Sequence, residues 1–171
     1  FPNILKPRIQ VDQALISLVC GRNISVFNVI TGTSGDDILF GTNGDDLIFG
    51  LAGNDSILGF GGDDCLFGGP GIDKISGGDG NDEIHGGPGD DHLTGRGGMD
   101  SIFGESGDDI ISGGPGNDPV LDGGADNDLI YGREGDDNMF GGTGSNDICI
   151  GEDDLIINPG DTADAECESV R

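Results

Sequence analysis

GGPGIDKIS, GGDGNDEIH and GGPGDDHLT, residues 68–94, are three consecutive copies of one nine-residue unit, and this unit decides the fold. From Gly32 the sequence divides into ten such units without a gap, ending at Leu121. One extra residue, Asp122, precedes GGADNDLIY and GREGDDNMF, and a looser GTGSNDICI occupies residues 142–150. Such a period predicts stacked copies of one small structural unit.

Each unit is predicted to form a tight turn followed by a short strand. Glycine at positions one and four permits backbone angles that a Cβ would forbid, and Asp or Asn at position five tolerates left-handed geometry. Position eight is aliphatic, as in a strand with one buried face. Two units make a coil of about 18 residues, and coils stack about 4.8 Å apart. The position-eight residues are Leu39, Ile48, Ile57, Leu66, Ile75, Ile84, Leu93, Ile102, Ile111 and Val120.

Position six is an aspartate, and stacking aligns these residues in two columns. One column contains Asp37, Asp55, Asp73, Asp91 and Asp109, and the other contains Asp46, Asp64, Asp82, Asp100 and Asp118. Stacked carboxylates repel one another unless a cation lies between them. The candidate metal ligands, besides backbone carbonyls of the glycine-rich turns, are Asp37, Asp46, Asp55, Asp64, Asp73, Asp82, Asp91, Asp100, Asp109, Asp118, Asp128, Asp137 and Asp147.

Calcium is the metal that this donor set predicts. Carboxylates and carbonyls suit its flexible oxygen shell, whereas zinc and copper prefer His and Cys, which are scarce here. About eight ions between alternate units would reduce the net charge of -26 to about -10. Two alternatives fit the sequence less well. A disordered glycine-rich linker does not require an aliphatic residue at position eight, and a metal-free solenoid leaves the carboxylates unneutralised. An EF-hand is excluded because Ile84 stands where its loop needs glycine.

The repeat G-G-x-G-x-D-x-U-x resembles the RTX, or hemolysin-type, calcium-binding nonapeptide over residues 32–150. The resemblance implies an all-β, right-handed parallel β-roll (a β-solenoid) with calcium ions in its turns. RTX toxins and proteases typically have few cysteines and leave the cell through a type I exporter. The four cysteines of this chain depart from that pattern and favour a general secretory route with oxidation outside the cell.

The charge balance excludes several partners. The 33 acidic and 7 basic side chains make binding to nucleic acid or to anionic membranes unfavourable. No apolar run reaches the roughly 18 residues of a membrane span. Residues 14–20 resemble a signal peptide faintly, but Asp12 precedes them, so we interpret them as structure. Asn23 and Asn54 begin glycosylation sequons.

The two ends are expected to cap the solenoid, because an open coil exposes core and strand edges. Residues 1–31 are predicted to be a capping or donor strand segment, residues 32–150 the β-roll, and residues 151–171 a C-terminal cap and acidic tail. Leu155–Ile157 is the expected last strand. The apolar segment 9–20 is also the candidate donor strand for a polymer, in which Cys20 would lock the junction.

Four cysteines allow three pairings. Cys149 with Cys167 would close a short loop at the C-terminal cap. Cys20 and Cys65 are then left to pair with each other, to pair between subunits or to stay reduced.

Position nine is expected to face outward. Phe49, Phe67, His85, Phe103 and Leu121 form one column there, and the opposite column is the more polar set Phe40, Leu58, Ser76, Thr94 and Ser112. The apolar column either shields the strand edges or forms a subunit contact.

No catalytic motif is present, and both histidines, His85 and His92, are predicted to be solvated. The recurrence of acidic pairs such as Asp45–Asp46 indicates scaffold. The sequence therefore predicts a non-catalytic, extracellular calcium-binding structural protein, such as a subunit of a fibre, surface layer or matrix. The alternative is a C-terminal secretion and folding module of a larger enzyme, toxin or adhesin.

Overall fold

A computed structural model describes residues 20–22, 26–151 and 162–163 of the chain. The short repeats produce short strands, each preceded by a turn. The described strands are β1 (Asn28–Thr31), β2 (Ile38–Phe40), β3 (Asp46–Phe49), β4 (Ser56–Gly61), β5 (Cys65–Phe67), β6 (Lys74–Asp79), β7 (Glu83–Pro88), β8 (His92–Gly97), β9 (Ser101–Ser106), β10 (Ile110–Pro115), β11 (Val120–Ala125), β12 (Leu129–Glu134), β13 (Asn138–Gly142), β14 (Ile148–Gly151) and β15 (Thr162–Ala163).

The strands form two parallel sheets, one from the odd-numbered strands and one from the even-numbered strands. In each sheet a strand pairs with the strands two before and two after it, so consecutive strands alternate between the sheets. Ile57 is in register with Ile75, and Ile75 with Leu93, which is the spacing of one coil. The predicted all-β parallel solenoid is confirmed, with about seven coils.

The core is a column of aliphatic side chains between the two sheets. Position eight supplies them, as predicted, and Ile48, Ile84 and Ile111 are each 0% exposed. Full burial of one such side chain contributes about 1.5–3 kcal/mol. The core cluster consists of Ile48, Ile57, Leu66, Ile75, Ile84, Leu93, Ile102, Ile111, Leu121, Ile130, Met139 and Cys149, with Ile30 and Leu39 packed against it.

The assignment of position eight was wrong in the tenth unit, where Leu121 and not Val120 enters the core. Leu121 is in register with Ile102, and Asp122 follows in register with Phe103. The inserted residue therefore precedes the core position. The cause lies at Pro119: Ile110, at the equivalent place one unit earlier, donates its N–H to the Asp91 carbonyl at 2.9 Å, and proline has no N–H.

The glycines at positions one and four serve different purposes. From Gly53 to Gly135, position four does adopt left-handed backbone angles, as at Gly80 with φ of 139°. Position one does not in the ten gap-free units, which corrects that part of the prediction. A Cβ on Gly41 would lie 2.5 Å from the Gly59 carbonyl oxygen and 2.7 Å from Asp46 Oδ2. Position-one glycine thus allows close approach of the aspartate and the next coil.

Cys20 and Phe27, which precede β1, lie against the outside of the odd-numbered sheet. Cys20 forms a disulfide with Cys65, with 6.4 Å between the Cα atoms, which resolves the alternatives left open for this pair. Beside it Phe27 packs on Leu47 in a second apolar cluster. Residues 1–19, Leu155–Ile157 and Cys167 lie outside the described residues, so the capping segments and the Cys149–Cys167 pair stay predictions.

Within the described residues no helix is long and apolar enough to cross a membrane.

Candidate metal centre

The position-six aspartates lie in two buried columns, one along each row of turns. All thirteen candidates are in the described part, and all except the half-buried Asp37 are buried. The columns predicted from the repeat continue past the inserted residue. The Asp37 column extends to Asp128 and Asp147, and the Asp46 column to Asp137.

One oxygen of each carboxylate links two coils. Oδ1 of Asp64 accepts the backbone N–H of Asp46 at 2.8 Å, and Oδ1 of Asp82 accepts that of Asp64 at 2.8 Å. The same bond recurs along both columns, for example from Asp91 to Asp109 at 2.8 Å. These bonds fix the orientation of each side chain.

The second oxygen is buried and lacks a hydrogen-bond partner in most repeats. An unpartnered buried carboxylate oxygen is costly unless a cation approaches it. These Oδ2 atoms belong to Asp55, Asp64, Asp73, Asp82, Asp91, Asp100, Asp109, Asp118, Asp128 and Asp147.

The first two candidates differ from the others. Thr42 donates to Asp46 Oδ2 through its N–H at 2.6 Å and its hydroxyl at 3.0 Å, and Thr33 contacts Asp37 Oδ2 in the same way at 2.6 and 2.8 Å. Both threonines stand at position two of their units. The requirement for a cation is therefore weaker in the first coil than in the middle of the roll.

Burial also disfavours the charged form of these carboxyls. It raises the pKa of Asp64, Asp91 and Asp100 to about 7 and that of Asp109 to about 8, against the opposing effect of the backbone N–H that each accepts. Neighbouring carboxylates in the column add to the increase. The pKa of Asp82 rises to about 6 for the same first reason. A bound cation would reverse this preference.

Carbonyl oxygens converge on the same places. The Gly104 carbonyl oxygen and Asp91 Oδ2 both lie beside Gly86, where a Cβ would meet them. Among the described residues no three His, Cys, Asp or Glu side chains are grouped as a metal site. A cation would therefore be held by carboxylate together with backbone oxygens. Such an all-oxygen set fits calcium and does not fit zinc.

Position five forms a separate ladder that the sequence analysis missed. Asp90 Oδ1 accepts the N–H of Asp108 at 3.0 Å, and Asn81 Oδ1 accepts that of Met99 at 2.9 Å. These bonds run in the opposite direction to those of position six. Backbone angles in the left-handed region occur at position two, for example Leu51 with φ of 86°, and not at position five. The preference for Asp or Asn there comes from hydrogen bonding.

The outward column at position nine is a stack of rings. Phe49, Phe67, His85 and Phe103 follow one another with centroids 5.2, 4.9 and 4.8 Å apart. Asp122 takes the next place instead of Leu121. The prediction that the His85 side chain is solvated was wrong. This side chain is 17% exposed, and its two ring nitrogens lie 3.2 Å from carboxylate oxygens of Glu83 and Glu105. His92 is exposed, as predicted.

Comparison with known families agrees with this geometry. The sequence model of the RTX calcium-binding nonapeptide repeat matches residues 27–57, 40–75, 58–93, 67–100, 85–118 and 120–148. No curated protein matches the chain.

Proposed function

We propose, on the premise that this chain belongs to the RTX calcium-binding nonapeptide repeat family, that its position-six aspartates bind calcium between successive coils and that the roll folds on binding it. The observation that carries the proposal is the row of buried Oδ2 atoms without hydrogen-bond partners. Calcium would supply the missing positive charge, and about eight or more ions are expected. Asp37 and Asp46 need a bound cation least, because threonines already donate to their Oδ2 atoms.

A non-catalytic structural role outside the cell is the second part of the proposal. The periodic aspartates act as scaffold, and the Cys20–Cys65 disulfide supports an oxidising, secreted or cell-surface location. In this role, the chain would self-associate into a fibre, surface layer or matrix. Cys20 is bonded within its own chain, so it does not lock a junction between subunits.

Circular dichroism tests the calcium proposal. The chain in excess chelator is expected to lose most of its β signal, because the columns of carboxylates then repel one another, and to regain it in millimolar calcium. Magnesium at the same concentration is the control, since its smaller, more rigid shell suits these turns poorly. A β spectrum that persists unchanged in chelator would overturn the proposal.

A further inference from the structure

Three of the four described Lys and Arg side chains lie on the outer face of the even-numbered sheet. We call this surface the basic face: Lys74, His92, Arg96 and Arg133, all exposed. In the described part of the chain no carboxylate lies within ion-pair distance of Lys74, Arg96 or Arg133. Unpaired cations gathered on one face are unexpected in a chain with a formal charge of -26.

Each of the two arginines of this face is held by a serine of the neighbouring coil. Arg96 Nε donates to Ser76 Oγ at 2.7 Å, and Arg133 Nε donates to Ser112 Oγ at 3.3 Å. The Arg133 guanidinium also lies 4.6 Å from the centroid of the Tyr131 ring. Because only Nε bonds to the serine, the terminal nitrogens are available to a bidentate partner such as a carboxylate.

Both arginines stand at position two of their units, where the backbone is left-handed in most units of the roll. Arg96 and Arg133 have φ of 82° and 77°, in the left-handed region that disfavours any residue with a Cβ. Gly78 and Gly114 occupy the same position of neighbouring coils in this sheet, with φ of 127° and 121°. Phe60 has the same backbone angle at this position of the same sheet, with φ of 77°, so the turn accepts exposed side chains of different kinds here.

The molecule itself shows what binds an arginine well. Arg22 reaches Asp45 at 2.8 Å and Asp63 at 3.6 Å, which are position-five carboxylates on successive coils. It also donates to the Asp63 carbonyl oxygen at 2.8 Å. Two stacked position-five carboxylates therefore form a ready acceptor for one guanidinium.

The described residues contain one more such pair, Asp90 and Asp108, and both are exposed. The Asp108 N–H bonds to Asp90 Oδ1, so the two side chains belong to successive coils. Each other aspartate at position five is stacked on an uncharged residue at position five of a neighbouring coil. Asp36 bonds to Asn54, and Asp136 bonds to Asn117. The pair at 45 and 63 is occupied by Arg22, whereas the pair at 90 and 108 has no cation within ion-pair distance.

We propose that the basic face of one copy docks on the Asp90–Asp108 turn of a second copy, with an arginine between the two carboxylates as Arg22 lies between Asp45 and Asp63. Each copy carries both surfaces at different places, so the contact is heterologous and propagates into a filament or layer without closing. It rests on the self-association proposed above and identifies its surface. Because the pairs are exposed, added salt weakens the contact.

Two double variants test the contact. The variant Arg96→Gln with Arg133→Gln lacks the two arginines of the basic face. The variant Asp90→Asn with Asp108→Asn lacks their partner while keeping the hydrogen-bond ladder, since Asn occupies position five naturally at Asn54 and Asn81. Sedimentation velocity in millimolar calcium should show wild-type oligomers that grow with concentration. Each variant alone should remain monomeric, at 17.4 kDa.

An equal mixture of the two variants is the decisive measurement. Each variant retains the surface that the other lacks, so the mixture should form a heterodimer of twice the monomer mass and no larger species. The control variant Asp36→Asn with Asp136→Asn loses the same charge from isolated carboxylates and should assemble as the wild type does. Circular dichroism in calcium establishes that every variant is folded.

A folded wild type that stays monomeric, variants that assemble unchanged, or a mixture that stays monomeric would each overturn the contact. A monomeric wild type that binds a sulfated polysaccharide through Arg96 and Arg133 would assign the basic face to an anionic polymer and overturn the second-copy proposal. Calcium-induced folding with no assembly would leave the calcium proposal intact, so the two failures are distinguishable.

Discussion

Two adjacent residues of each turn, at positions five and six, have opposite environments although both are often aspartate. Asp90 is exposed, and its Oδ1 accepts one N–H from the following coil. Asp91 is buried, accepts one N–H from the preceding coil, and has a second oxygen without a partner. Asparagine can replace the first without losing the acceptor, whereas it cannot supply the negative charge that a cation needs at the second.

The matched substitutions Asp82→Asn and Asp90→Asn follow from this difference. Asp82 bonds to the coil before it and lies beside the coil after it, so we expect Asp82→Asn to lose about two bound calcium ions by calorimetric titration. Asp90→Asn should bind as many ions as the wild type. Equal losses in the two variants would show that the ligand position is wrongly assigned.

At the scale of the strand, the repeat predicted the elements but could not locate the inserted residue. Both Val120 and Leu121 are aliphatic, so the pattern at this unit fits either alignment. The deciding factor is the missing N–H of Pro119, which acts through pairing with the neighbouring coil and leaves no periodic signal. The ring stack ends at Asp122 because of that shift.

The register of β11 can be tested by truncating the two candidates. Leu121 is 0% exposed and Val120 is half-buried. Leu121→Ala should therefore lower the free energy of unfolding in calcium by roughly 2–5 kcal/mol, as for other buried leucines. Val120→Ala should cost under about 1 kcal/mol, because its methyl groups remain partly hydrated. If denaturant unfolding showed a larger loss for Val120→Ala than for Leu121→Ala, Val120 and not Leu121 would be the core residue.

At the scale of the molecule, periodicity determined what the sequence could predict. The solenoid, its core column and the aspartate columns recur every coil, so each repeat adds to the same signal. The Cys20–Cys65 bond and the Arg22 contacts each occur once, between a non-repeating segment and the roll. The contacts of Thr33 with Asp37 and of Thr42 with Asp46 likewise belong to the first two units.

The stacked carboxylates also predict how the whole roll responds to pH without calcium. Burial raises the pKa of Asp64, Asp91, Asp100 and Asp109 to about 7–8 in the folded chain, whereas an unfolded aspartate has a pKa of about 3.9. The folded state then binds more protons between these values. The stability that these protonated carboxyls contribute is fully present below a pH of about 4 and is lost as the pH rises through the folded pKa values.

In chelator the β signal should therefore be stronger at pH 5 than at pH 8. When calcium is titrated in, the concentration that half-fills the sites should rise as the pH falls, because protons and calcium compete for the same oxygens. Replacing Asp100 and Asp109 with Asn removes two of the raised groups and should flatten the response in chelator. The matched variant Asp90→Asn with Asp108→Asn removes the same charge from exposed positions and should keep it. A metal-free chain with more β structure at pH 8 than at pH 5, or an equal response in both variants, would mean that overall charge and not the buried columns controls folding.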